Sequence, residues 1–199
     1  EWNKNLQGGR GAFKVVLKHI ISQEEFTQVR SCEDIIRLND QWNPEFIYVD
    51  QGYGHTQIEM IRKYGLEHPL TGLANKLKGI YFGDRMEIRD PVTKQIVKKH
   101  MKPFMVNLAV RRMEDGQVIL PESEDIKNGL VGQIRDYTVI RTTALGQPIY
   151  SDENDHAIVA WMLSILGATM EFSDMNRQNR IATIGITGKF GEKSNPDFK

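Results

Sequence analysis

A mixed α/β fold is predicted by three features of this chain. Short apolar runs rich in β-formers recur, Phe46-Ile47-Tyr48-Val49 being the clearest. Longer segments, such as 31–42 and 155–166, carry apolar residues at helical spacing. The two kinds of segment alternate along most of the sequence, which is the pattern of an α/β domain. At 199 residues the chain fits one domain with a substantial core. No repeat, low-complexity block or interdomain linker interrupts it.

Taken in order, residues 13–21 and 26–30 are rich in β-formers on either side of Ser22-Gln23-Glu24-Glu25, and read as an antiparallel pair. Ser31 is the expected cap of a helix running to Trp42, with Pro44 marking its end. A short buried strand then closes at Asp50. Gly52-Tyr53-Gly54 permits a tight turn into a helix over 56–64, completing a βα unit. Residues 78–100 contain three short β-like pieces, 79–82, 86–88 and 95–97, around Asp90-Pro91, and are expected to form a hairpin insert projecting from the core.

Pro103 suits the first turn of a helix over 102–113, ended by Asp115-Gly116 before a strand at 118–120. A helix is expected over 125–135, strands over 137–143 and 148–150 joined through Leu145-Gly146, and a long helix over 155–166. The domain is placed at 1–170. Residues 171–199 turn polar and basic and are expected to form a mobile tail, with only 181–186 resembling a strand.

Charge and composition narrow the function classes. Acidic and basic residues balance at 26 each, so attraction to a polyanion has to come from local segregation of charge. The one cysteine, Cys32, excludes an internal disulfide framework and suits a reducing compartment. No apolar run approaches the ~20 residues needed to cross a bilayer, so a soluble, intracellular protein with no membrane partner is expected. The five histidines lack zinc-site spacing. Gly185-Ile186-Thr187-Gly188-Lys189 and Gly191-Glu192-Lys193-Ser194 both lack the first glycine of a nucleotide-binding P-loop.

What remains is a set of carboxylates at expected element ends: Glu1 at the start, Asp50 after the buried strand, and Asp155 opening a helix, with Asp152 in reserve one turn away. Oxygen ligands suit Mg²⁺ or Mn²⁺, and one or two such ions can drive phosphodiester hydrolysis. Asp50 sits at a strand's C-terminal edge, where open α/β sheets place their sites, although Asp before Gly is also a common turn residue. Asp155 and Asp152 have the alternative role of favouring a helix N-terminus.

Glu1-Trp2-Asn3-Lys4, Phe46-Ile47-Tyr48-Val49-Asp50-Gln51-Gly52-Tyr53-Gly54, and Asp136-Tyr137 through Gly146-Gln147-Pro148-Ile149-Tyr150 to Asp155-His156-Ala157 together resemble the nuclease domain of tailed-phage large terminases. Lys102-Pro103-Phe104-Met105-Val106-Asn107 and Gly116-Gln117-Val118-Ile119-Leu120-Pro121 are similar to that family's middle section. The resemblance covers most of residues 1–170 and rests on the order and spacing of short motifs. It implies a ribonuclease H-like mixed sheet flanked by helices, with an acidic cluster of Glu1, Asp50 and Asp155 that binds Mg²⁺ or Mn²⁺ and cuts double-stranded DNA during genome packaging. Glu1 departs from the aspartate usual at the first position. Further implications are a preceding ATPase domain and first strand in a longer natural protein, portal and small terminase subunits as partners, and action in the host cytoplasm at the procapsid. The intact motor of this family is a ring, whereas an isolated nuclease domain can be a monomer.

Within the neutral chain the 78–102 stretch is net basic, and Arg85, Arg89, Lys98, Lys99 and Lys102 are candidate phosphate contacts, joined by Arg111 and Arg112 on the next helix. Lysines that protect a hairpin edge from pairing are the ordinary alternative. Two other functional readings stand beside the packaging nuclease. One is a ribonuclease H-like recombination nuclease, either a junction resolvase or a transposase core; the other is a non-catalytic DNA-binding or assembly module.

Overall fold

The computed structural model describes residues 2–3, 12–13, 15–17, 27–89, 93–151, 153, 155–174 and 183–186. Three short strands open the described chain: β1 (Trp2–Asn3), β2 (Ala12–Phe13) and β3 (Val15–Val16). Helix α1 (Gln28–Trp42) follows, then β4 (Phe46–Asp50), α2 (Gln51–Glu67), a 3₁₀ turn at Pro69–Thr71, α3 (Leu73–Lys76) and β5 (Leu77–Ile80). Strands β6 (Arg85–Arg89) and β7 (Ile96–His100) lead into α4 (Met101–Glu114) and β8 (Val118–Ile119). A helical run comprises α5 (Glu124–Ile126), a π-helical segment at Lys127–Val131 and α6 (Gly132–Asp136). Strands β9 (Val139–Thr142) and β10 (Pro148–Tyr150), helix α7 (His156–Asp174) and β11 (Thr183–Ile186) complete the described chain.

The centre is a three-stranded parallel sheet in the order β11-β4-β5. Side chains alternate across β4, and the alternation builds two cores. Ile47 and Val49 pack with Cys32, Ile35, Ile58, Ile61 and Leu73 of α1, α2 and α3. Tyr48 joins Met101, Met105 and Ala109 of α4 and the buried residues of α7, with Phe46 and Ile80 packed against them. The sheet is therefore covered on both faces, which explains why β4 is an unbroken apolar run. Burying each large aliphatic side chain contributes about 1.5–3 kcal/mol.

Helix α7 lies within this architecture as a core helix. Ile158, Val159, Trp161, Met162, Leu163, Ile165 and Leu166 are all buried, leaving little polar face over that stretch. Two polar links fix α4 against it. Lys102 meets Asp155 at their N-terminal ends, and Arg112 donates to Thr169 Oγ1 at 3.4 Å further along, so the two helices run parallel.

Several expectations are corrected. Residues 28–30 are helical, because the Thr27 hydroxyl accepts from the Arg30 amide at 3.2 Å and caps α1 one turn before Ser31. Gly52 and Gly54 lie inside α2, which starts directly after Asp50. They serve close approach instead of a turn: a Cβ on Gly54 would lie 2.6 Å from Val49 Cγ1, and one on Gly52 3.2 Å from Asp50 Oδ1. Residues 77–80 do not belong to a projecting insert, since β5 pairs in parallel with β4; only β6 and β7 form the antiparallel hairpin. Helix α7 continues past 166 to Asp174, and within the expected tail Thr183–Ile186 pairs in parallel with Phe46–Val49. The rest of the 171–199 tail, residues 175–182 and 187–199, lies outside the described residues.

The mixed α/β class thus holds. Four two-stranded pairings accompany the central sheet among the described residues: β1-β2, β3-β8, β6-β7 and β9-β10. No helix among the described residues is long and apolar enough to cross a membrane.

Candidate active site at the sheet edge

Asp50 is the last residue of β4 and 3% exposed. Its Oδ1 accepts from the Gly52 amide at 2.9 Å, so the carboxylate caps α2 as well as ending the strand. By strand alternation Asp50 is in register with Phe46 and Tyr48, on the face covered by α4 and α7. Parallel pairing with Ile80 places it at the C-terminal edge of the sheet.

Asp155 immediately precedes α7, and its backbone carbonyl accepts the Val159 amide at 2.9 Å. Helix α7 packs on β4 and feeds β11, which is parallel to β4. A helix that leads into a parallel strand runs back along the sheet, so its N-terminus lies toward the strands' C-terminal edge. Helices α2 and α7, attached to neighbouring strands, cover opposite faces. Such a switch point is where open α/β sheets form their crevices.

Around Asp155 the structure builds a cleft of about 250 Å³ lined by Gln133, Asp136, Tyr137, Ser151, Glu153 and Asp155. Gln133 Oε1 accepts from the amides of Ala157 and Ile158 at 2.8 and 3.0 Å, satisfying free donors at the start of α7. This leaves the side chain of Asp155 for another partner. That partner is Lys102, whose Nζ donates to Asp155 Oδ2 at 3.4 Å. The same ammonium lies 5.8 Å from the centroid of the Tyr137 ring, which stacks on Tyr150 at 5.4 Å.

Tyr137 is the most perturbed group here. Its hydroxyl oxygen is buried without a hydrogen-bond partner. Burial pushes its pKa well above the ordinary tyrosine value, and the charges of Asp155 and, when ionised, Tyr150 push it the same way. Burial also raises the pKa of Tyr150. Tyr137 keeps its proton throughout the physiological range.

The donor chemistry of the cleft is oxygen throughout its ionisable lining, with Asp136, Glu153 and Asp155 as carboxylates, and this suits a hard divalent cation. Among the described residues, no group of three or more His, Cys, Asp or Glu converges closely enough to hold a metal. Asp50 ends β4 and Asp155 opens the helix that packs on it, but Asp50 is not in the cleft lining. Glu1 and Asp152 lie outside the described residues. The composition around Asp155 signalled carboxylates; Tyr137, Gln133 and the Lys102 pairing carried no local signal.

The expected phosphate contacts divide into several kinds. Arg85 and Lys99 are exposed on the β6-β7 hairpin, and Lys98 is paired across it with Glu87 at 3.2 Å. Arg89 is the last residue of β6, and its side chain lies outside the described set. Arg111 is exposed and 3.9 Å from Asp115. Two of them have partners within the protein. Lys102 is directed to Asp155, and Arg112 is half-buried, donating to Gln117 Oε1 and Thr169 Oγ1. Burial is the main influence lowering the Arg112 pKa, reinforced by Arg111 and opposed by Asp115. Its role is to tie α4 to α7.

A second hairpin, β9-β10, adjoins the first. The side-chain amide of Gln147 lies 2.5 Å from His100 Nε2, linking the β9-β10 turn to the end of β7. In comparisons with family models, curated proteins and solved structures, the chain matches none.

Proposed function

We propose that this chain is a divalent-metal-dependent endonuclease that cuts double-stranded DNA during phage genome packaging, on a ribonuclease H-like core. The feature that supports the reading is the buried Asp50 carboxylate at the C-terminal edge of the parallel sheet, together with Asp155 at the start of the helix that packs on the same strand. The resemblance of the strand, hairpin and helix motifs to large terminase nucleases supplies the substrate and the biological setting.

In this reading Asp50 and Asp155 hold Mg²⁺ or Mn²⁺, with Glu1 and Asp152 as further expected ligands. Bound divalent cations supply charge stabilisation at the phosphate and a more acidic water. The chain's own residues do the remaining work. Asp50 is rigid because it both ends a buried strand and caps α2. Tyr137 keeps its proton beside Asp155. Exposed Arg85, Lys99 and Arg111 provide positive charge for the DNA backbone, which positions a duplex without reading its sequence. Portal and small terminase subunits are the partners in the proposed setting at the procapsid.

The test is cleavage of plasmid DNA in Mn²⁺, Mg²⁺ or EDTA by the native chain, Asp50→Asn and Asp155→Asn. Asparagine retains capping ability at Asp50 while removing charge. Metal-dependent cutting that both substitutions abolish, in variants with native circular dichroism, supports the reading. Cutting unaffected by either substitution, or no cutting under any condition, overturns it. Preference for branched over linear duplex would favour the recombination-nuclease alternative, and DNA binding without cutting the assembly-module alternative.

A further inference from the structure

The alternation of β5 continues past its last residue. Leu77 packs in the α1-α2 core, and a Cβ on Gly79 would stand 3.0 Å from Ile58 Cδ1 of α2. Tyr81 follows two positions later on that same side, while Ile80 and Phe82 turn the other way into the α4-α7 core. Tyr81 therefore stands just beyond the Asp50–Ile80 pair, over the start of α2, and is 52% exposed. Its ring is held between two glycines. A Cβ on Gly52 would lie 3.9 Å from Tyr81 Cε2, and one on Gly83 only 2.6 Å from Cε1, so a side chain at position 83 would displace the ring. The backbone is fixed as well: the Asp84 amide donates to the Tyr81 carbonyl at 3.1 Å, and the Asp84 carbonyl accepts from the Met101 amide at 3.0 Å, tying the turn to the start of α4.

A large ring held open to solvent forgoes the burial that aromatic side chains usually gain. The residues that follow it in the fold are basic: Arg85 opens β6, and Lys99 stands opposite Met86 on β7, both exposed. An aromatic surface bordered by cations is the composition that binds single-stranded nucleic acid, the cations meeting phosphates and the ring meeting a base. We propose that Tyr81 is a stacking platform for an unpaired nucleobase at the C-terminal edge of the sheet, so that this chain takes DNA preferentially at a single-stranded end. A paired duplex buries its base faces in its own stack and has none to offer the ring. Because the glycines and the turn already fix Tyr81, little ordering cost falls on binding. The inference rests on DNA being the partner, as proposed above, and needs no metal.

The experiment measures binding in EDTA by fluorescence anisotropy, using a blunt DNA duplex and the same duplex with a single-stranded overhang, on the native chain, Tyr81→Phe and Tyr81→Leu. Phenylalanine keeps the π-face, whereas leucine keeps apolar bulk between Gly52 and Gly83 without it. Thermal melts establish that each variant is folded. The native chain and Tyr81→Phe should prefer the overhang, and Tyr81→Leu should bind it at least about fivefold more weakly with blunt-duplex affinity unchanged. A ring that serves only to cover the start of α2 would leave overhang binding the same in Tyr81→Leu, and that result overturns the proposal. Native binding to both duplexes with no preference also overturns it while leaving the DNA reading intact, and no binding to either overturns both. A second readout needs no variant: 2-aminopurine placed in the overhang should lose fluorescence on binding the native chain, as a base does when it stacks. Bound but unquenched 2-aminopurine overturns the proposal even if Tyr81→Leu does not fold.

Discussion

Lys102 Nζ lies 3.4 Å from Asp155 Oδ2, so one ion pair joins the first turn of α4 to the residue that opens α7. Charged hydrogen bonds of limited exposure contribute more than surface pairs, and a carboxylate also favours a helix N-terminus. In EDTA, Asp155→Asn is therefore expected to lower stability by roughly 1–2 kcal/mol. Urea unfolding followed by circular dichroism checks it. An unchanged midpoint would show that the pair is thermodynamically idle.

Tyr137 gives the fold an alkaline limit. Its folded pKa is raised above that of an unfolded tyrosine, near 10, chiefly by burial. Between the two values the folded state holds more protons than the unfolded state, so stability falls as pH rises past about 10. Tyr150 contributes in the same direction. Tyr137→Phe should flatten this alkaline slope without abolishing it. At neutral pH it should change stability by less than about 1 kcal/mol, because the hydroxyl it removes has no partner. Thermal melts from pH 7 to 11 test both statements.

Gln57 is a second unpartnered polar group, buried in α2 at 2% exposure with neither side-chain amide atom hydrogen-bonded. Methionine has similar length and needs no hydrogen bond. Gln57→Met is expected to raise stability by about 1–2 kcal/mol, read as a higher urea midpoint at constant slope.

Gly65 permits the close packing of α2 on α3. A Cβ there would stand 2.5 Å from the Ala74 backbone nitrogen, where a side-chain rotation cannot relieve the clash. Although alanine normally favours a helix interior by about 1 kcal/mol over glycine, Gly65→Ala should destabilise by roughly 1–3 kcal/mol. A gain in thermal midpoint would overturn this account of the packing.

Much of the local structure was legible in the residues. The buried strand closing at Asp50, helix α4 after the basic stretch, the β10 strand and a long helix opening at Asp155 all follow from periodicity, capping and turn chemistry. The expected turn at Gly52 and Gly54 failed because glycine reports a need for space as readily as a need for unusual dihedrals.

Sequence alone determined where short β-like and amphipathic segments occur and put carboxylates at element ends, since those properties depend on neighbours within a few residues. Tertiary structure decided that β5 and β11 flank β4, that Asp50 shares a sheet face with Tyr48, and that Lys102 meets Asp155 across 53 positions. Parallel strands are joined through long crossovers, and pairing between distant segments depends on how whole faces pack. No local pattern encodes that choice.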